Sequence, residues 1–209
     1  MRVVLTGTRP GPLAERLEAL GHEAVVCPLV RTEPLGDDPV EVEGYDWVVV
    51  TSVTGAKELL RRMRGTPARL AAIGAATAQA LGGADLVPEA STQEGLLAAL
   101  PRPAGRVLFA GAEGARRLIV DELGADFLPL YRTVELRPAS PPDGDLVVLA
   151  SASAARAYAA LGRDLPAVSI GPQTTRAARA GGVRIAAEAR THDVEGLVEA
   201  VILACSSRS

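Results

Sequence analysis

The chain has little of what most catalytic chemistry draws on. Its two cysteines, Cys27 and Cys205, and its two histidines, His22 and His192, stand apart, so no disulfide framework, metal site or histidine-based triad is expected. Lysine occurs once, at Lys57, and no G-x-x-x-x-G-K-S/T segment exists, which excludes a P-loop enzyme. A dinucleotide enzyme is disfavoured because no G-x-G-x-x-G follows a strand. A net charge of -3 gives no concentrated basic face, so no nucleic-acid partner is expected. Arg61, Arg62 and Arg64 do cluster, but they end a helix whose apolar positions are Ala56, Leu59, Leu60 and Met63, which predicts a solvated face. The longest apolar runs, such as Trp47 to Val50, are strand-length, against roughly 20 residues for a membrane helix. Met1 to Thr6 enters an apolar strand without the parts of a secretory signal, so a cytoplasmic chain with no membrane partner is expected.

What is present is a repeat. Arg2 to Leu35 and Arg106 to Leu136 share a short plan: an apolar strand (RVVLTG, RVLFAG), a helix ending in glycine (LEALG, VDELG), then a strand running into LVRTEPL or LYRTVEL. Asp46 to Leu100 and Asp145 to Leu203 share a longer one: DxVVxxS, a helix, a strand and turn around IGxxT, a short strand, then EGL opening a final helix. Strands alternating with helices predict βαβ units and a mostly parallel sheet. Each short-plus-long pair supplies about five strands, the number of a flavodoxin-like doubly wound sheet. At 209 residues the chain suits two domains of roughly 100 each. Sequential pairing would give 1–103 and 104–209; interleaved pairing would join 1–34 with 138–209 around an inserted 37–135, with extended crossings near 29–36 and 130–137.

In an open parallel sheet, ligands bind beyond the carboxyl ends of the strands, where unpaired helix amides favour anions. Those ends carry Thr6-Gly7-Thr8, Thr51-Ser52, Gly74, Gly111, Ser151-Ala152-Ser153 and Gly171-Pro172-Gln173-Thr174-Thr175, with almost no acids, and Arg9 opens the first turn. Ordinary helix capping would select the same hydroxyls. The symmetry breaks at one informative place, where Val30 of the first crossing aligns with Tyr131 of the second. A phenol is protonated at neutral pH and can donate a proton to a leaving oxygen.

Over nearly its whole length the sequence resembles the uroporphyrinogen III synthase family, through VVVTSVTGAKELL from Val48, LFAGAEGARRLI from Leu108, LYRTVEL from Leu130, AVSIGPQTTRAA from Ala167 and THDVEGLVEAV from Thr191. The resemblance implies two flavodoxin-like α/β domains, one inserted in the other and joined by a two-stranded β ladder, and so selects the interleaved pairing. It implies a cofactor-independent hydro-lyase: hydroxymethylbilane, a linear tetrapyrrole with eight carboxylates, loses water and closes through a spirocyclic intermediate that inverts ring D. By position it makes Tyr131 the group assisting hydroxyl departure. Thr51, Ser52, Ser151 and Ser153 match family hydroxyls, and Gly171 to Thr174 match a G-P-T-T turn in which Gln173 replaces a threonine, leaving Thr174 the better candidate. Gly74 and Arg9 complete the expected substrate contacts, with no metal or organic cofactor. A monomer receiving its substrate from the enzyme that produces hydroxymethylbilane is expected. The rival reading is a non-catalytic two-lobed sensor or binding protein for a small anion; a nucleotide-sugar or methyl-group transferase would need cofactor-binding turns that the sequence lacks.

Overall fold

A computed structural model describes residues 1–7, 11–140 and 142–206. The chain begins with β1 (Arg2–Leu5), α1 (Gly11–Ala19), β2 (Glu23–Val26), β3 (Val30–Pro34) and β4 (Val40–Glu41). It continues through β5 (Trp47–Val50), α2 (Val53–Arg62), β6 (Met63–Arg64), β7 (Leu70–Ala72), α3 (Ala75–Leu81) and α4 (Gln93–Ala99). Next come β8 (Val107–Ala112), α5 (Leu118–Leu123), β9 (Asp126–Glu135), β10 (Leu146–Leu149) and α6 (Ala152–Ala160). The last elements are β11 (Ala167–Ser169), α7 (Pro172–Ala180), β12 (Ile185–Glu188) and α8 (Val194–Ser206). Among the described residues no helix is long and apolar enough to cross a membrane.

The chain divides into two compact units, residues 1–31 with 134–209, and residues 32–133. The first holds a parallel sheet in the order β2-β1-β10-β11-β12, which in chain order is the 2-1-3-4-5 arrangement of a flavodoxin-like sheet. Every residue of β5 and of β10 is buried, as expected of strands covered by helices on both faces. Leu17, Leu146 and Val201 sit on one face of the first sheet, and Leu149, Tyr158 and Ala178 on the other.

The second sheet runs β3-β9-β8-β5-β7. From β9 to β7 it repeats the spatial order β2-β1-β10-β11 of the first, but the chain visits β5 and β7 before β8 and β9. The two sheets therefore share one arrangement entered at different points. The fifth strand expected from the second unit's own repeat shrinks to a single parallel bridge between Ala71 and Leu86. Pro88 follows two residues later and has no N–H to extend a ladder. Beyond β9 lies β3, and the flanking amides of Leu35 and Leu136 donate to the carbonyls of Leu130 and Leu29, at 2.9 and 2.8 Å.

The same anchors start the paired strands in both units. Asp46 accepts the backbone N–H of Arg106 at 2.7 Å, and Asp145 accepts that of Arg2 at 2.8 Å. The expectation of a solvated arginine face at the end of α2 fails at Arg62, which is only 6% exposed. Its guanidinium donates to the carbonyls of Leu35 and Asp38, while Arg61 reaches Gly36 and Asp37. Those carbonyls lie in the segment that links β3 to β4, and the arginines satisfy them. Leu60, expected on the apolar face of the same helix, is 42% exposed.

Candidate active site

In the second unit the order of the chain reverses between β8 and β5, the switch point at which open α/β sheets bind ligands. The strand ends there present Thr51, Ser52, Gly111 and Ala112. Ser52 has extended backbone and caps α2, its Oγ accepting the Gly55 N–H at 2.9 Å. Gly55 leaves room for this: a Cβ there would lie 3.0 Å from the same oxygen.

Tyr131 reaches that hydroxyl through a backbone irregularity. Between β8 and β9, Gly111 pairs with Pro129 but Ala112 pairs with Tyr131, so Leu130 is an extra residue in the ladder. The bulge breaks the alternation of side chains. Leu130 and Tyr131, adjacent in sequence, are both buried in the same core cluster. The Tyr131 hydroxyl meets Ser52 Oγ at 2.9 Å. With Tyr131 8% exposed, burial pushes the phenol above its ordinary value and the Ser52 hydrogen bond opposes that shift. The neutral, proton-bearing form is thus held across the neutral range. The other tyrosines are committed elsewhere. Tyr45 donates to Asp126 at 2.8 Å at the surface, and Tyr158 is fully buried with the Leu165 N–H bonded to its oxygen at 3.1 Å.

Thr51 is half-buried, its Oγ1 3.7 Å from where a Cβ on Gly111 would stand. In the first unit, Ser151 caps α6 by accepting the Ala154 N–H at 3.1 Å, and its hydroxyl meets Ser153 Oγ at 3.0 Å instead of a phenol. Gly74 and Gly171 precede α3 and α7 with extended backbones that any residue could adopt. Both glycines are closely approached by side chains: a Cβ on Gly74 would lie 2.8 Å from Ser91 Oγ, and one on Gly171 would lie 2.5 Å from His192 Nε2, so those exposed side chains would have to turn aside. Within α7, Thr174 is buried at 3% exposure while Gln173 is exposed. Arg9 lies outside the described residues.

The structure thus joins Tyr131 to Ser52 and Ser151 to Ser153. Gly74 and Gly171 instead face Ser91 and His192, two residues missed from sequence. The signal was available: aligning the EGL segments sets Thr92 opposite Asp193, both helix caps, and Ser91 opposite His192. A buried hydroxyl chain was missed too. Thr175 donates to Glu188 and so accepts from Ser169 at 2.5 Å, fastening β11, α7 and β12 together.

Two doubly wound, mostly parallel sheets with serine-capped helices at their switch points define a two-unit α/β protein. The particular family follows from comparison: residues 11–199 match the family described as uroporphyrinogen-III synthase HemD, and the chain belongs to it. Among solved structures, a selenomethionine-labelled mutant of uroporphyrinogen III synthase from the extremely thermophilic bacterium Thermus thermophilus is similar at 19% identity over 99% of both chains, with a TM-score of 0.68. The wild-type enzyme of the same bacterium, in its form-2 crystal, is similar at 20% identity over 100% of this chain and 99% of that one, with a TM-score of 0.51. No curated protein sequence matches.

Proposed function

We propose that this chain dehydrates and cyclises hydroxymethylbilane to uroporphyrinogen III with inversion of ring D, using no metal or organic cofactor. Family membership across residues 11–199 is the observation that carries the reaction. In this reading Tyr131 is the acid. Its phenol gives a proton to the hydroxyl, which departs as water; the azafulvene cation bonds to the substituted carbon of ring D to give the spirocycle, that carbon's original methylene bond breaks and re-forms at the free carbon, and the proton lost there restores the phenol. The neutral phenol and its 2.9 Å contact with Ser52 support that role.

The protein's net charge of -3 repels an octacarboxylate at long range, so binding falls to local donors. Thr51, Ser52, Gly74, Ser151, Ser153, Gly171, Gln173 and Thr174 are the proposed contacts to the acidic side arms, through hydroxyls and helix amides, with Arg9 as a further cation. Spontaneous closure of the bilane gives the unrearranged isomer, so the chain's main contribution is orientation of ring D. It works as a cytoplasmic monomer that takes the bilane from the enzyme producing it.

The test is to incubate purified protein with fresh hydroxymethylbilane, oxidise, and separate uroporphyrins I and III. Enrichment of isomer III above the protein-free blank is expected. A product mixture matching the blank would overturn the reading.

A further inference from the structure

A cavity of about 260 Å³ opens within the first unit at the carboxyl ends of β1 and β10. It lies at the point where the chain order of the first sheet reverses, the counterpart of the Ser52–Tyr131 position in the second. Small-molecule pockets usually hold about 300–1,000 Å³, so this one suits a single ring and not a whole tetrapyrrole. Leu13, Val148, Ile170 and Leu197 supply apolar walls. Thr6 also lines it, but its hydroxyl is committed to the Val148 carbonyl at 2.8 Å.

The one charged residue lining the cavity among those described is Asp193. Its Oδ1 accepts two hydrogen bonds, from the Gly196 N–H at 2.8 Å and from the Thr191 hydroxyl at 2.9 Å. Its Oδ2 receives none from the described residues. Those same donors hold the carboxyl below its ordinary range, the Gly196 amide first, so it is ionised at neutral pH. Asp193 is itself exposed, and among the described residues an anionic acceptor beside apolar walls favours a flat ring bearing an N–H.

We propose that this cavity receives one pyrrole ring of the linear tetrapyrrole, face against the Leu13 and Ile170 walls, with its N–H donated to Asp193 Oδ2. The identity of the full substrate rests on the function proposed above; the ring preference of the cavity does not. Holding a ring by its nitrogen fixes which edge it presents, something the acidic side arms alone do not do.

The test uses two monocyclic probes of nearly equal shape, 2,5-dimethylpyrrole and 2,5-dimethylfuran, titrated into the full chain and followed by amide NMR shifts. The pyrrole is expected to move the amides of Ile170, Val194 and Gly196 and to bind at least about tenfold tighter than the furan, as for a hydrogen bond to a charged group. Asp193→Asn keeps a good helix cap, so an unchanged Tm confirms folding. That variant should bind both rings alike and raise KM for hydroxymethylbilane about tenfold, with a smaller fall in kcat. Equal binding of the two rings to the unaltered chain, no shift at those amides, or a retained pyrrole preference in Asp193→Asn would each overturn the proposal. The isomer assay reports separately on the reaction, so either inference can fail while the other stands.

Discussion

The two units are built alike down to single atoms and differ where chemistry is expected. In each, an aspartate pins the start of a neighbouring strand, at Asp46 and Asp145, and a serine caps the helix after the next strand, at Ser52 and Ser151. In each, a helical glycine, in α4 and in α8, lies close to a backbone carbonyl: a Cβ on Gly95 would meet the Ala90 oxygen at 2.1 Å, and one on Gly196 would meet the Thr191 oxygen at 2.2 Å. Against this shared frame, the second unit sets a phenol on its capping serine and the first sets another serine there. The first unit carries His192 against Gly171 where the second has Ser91 against Gly74. Parts that repeat belong to folding; parts that depart from the repeat are the places to look for function.

The largest expected effect tests the departure. Tyr131→Phe should lower kcat by about 100-fold or more, the usual range for loss of a general acid, while KM changes little. An unchanged kcat in steady-state assays would leave the phenol a packing residue and erase the main difference between the units.

The next effect tests the likeness. Gly95→Ala and Gly196→Ala each force a methyl against a backbone oxygen that cannot swing aside, and each should cost about 1–3 kcal/mol of stability by chemical denaturation. Matching losses support a common frame, and a loss in one alone would break it. Removing the two caps should be smaller and would sharpen the contrast. Ser52→Ala and Ser151→Ala should each cost about 1 kcal/mol of stability, but Ser52→Ala should lower kcat, because only Ser52 holds a phenol, whereas Ser151→Ala, at a proposed substrate contact, should raise KM with kcat little changed.

The smallest effect concerns the acidic residue that follows each cap. Glu94 forms two hydrogen bonds with Arg116, at 2.8 and 2.9 Å, and those bonds hold its carboxyl down to about 2, whereas Glu195 pairs with Arg16 at 2.9 Å. A depressed carboxyl stabilises the fold above its unfolded value and loses that contribution as pH falls through the folded one. The pair is exposed, so Glu94→Gln should lower Tm only slightly at neutral pH, and the difference should fade between about 4.5 and 2. A difference that persisted at pH 2 would assign it to packing.

Much of this was legible in the residues. Four-residue buried strands such as WVVV and LVVL, serine after the strand, and repeated EGL segments are local signals, and the structure keeps them as strands, caps and helix starts. Tyr131 was legible as a break in the repeat. Its bulge was not, because an extra residue in a ladder shows only once the partner strand is known. Arg62 escaped because its partners are main-chain carbonyls, which carry no sequence signature. The shortened fifth strand of the second unit had a signal in Pro88. His192 and Asp193 were visible to the same alignment that found Tyr131, but the strand ends were read for anion-binding donors and an acidic acceptor did not fit that pattern.

The claim at the centre is that the second unit is reactive because Ser52 holds the Tyr131 phenol. A double-mutant cycle on kcat for isomer III formation tests it most directly. Ser52→Ala should slow turnover severalfold when Tyr131 is present and have no further effect on turnover in the Tyr131→Phe background. Equal effects of Ser52→Ala in both backgrounds would contradict it.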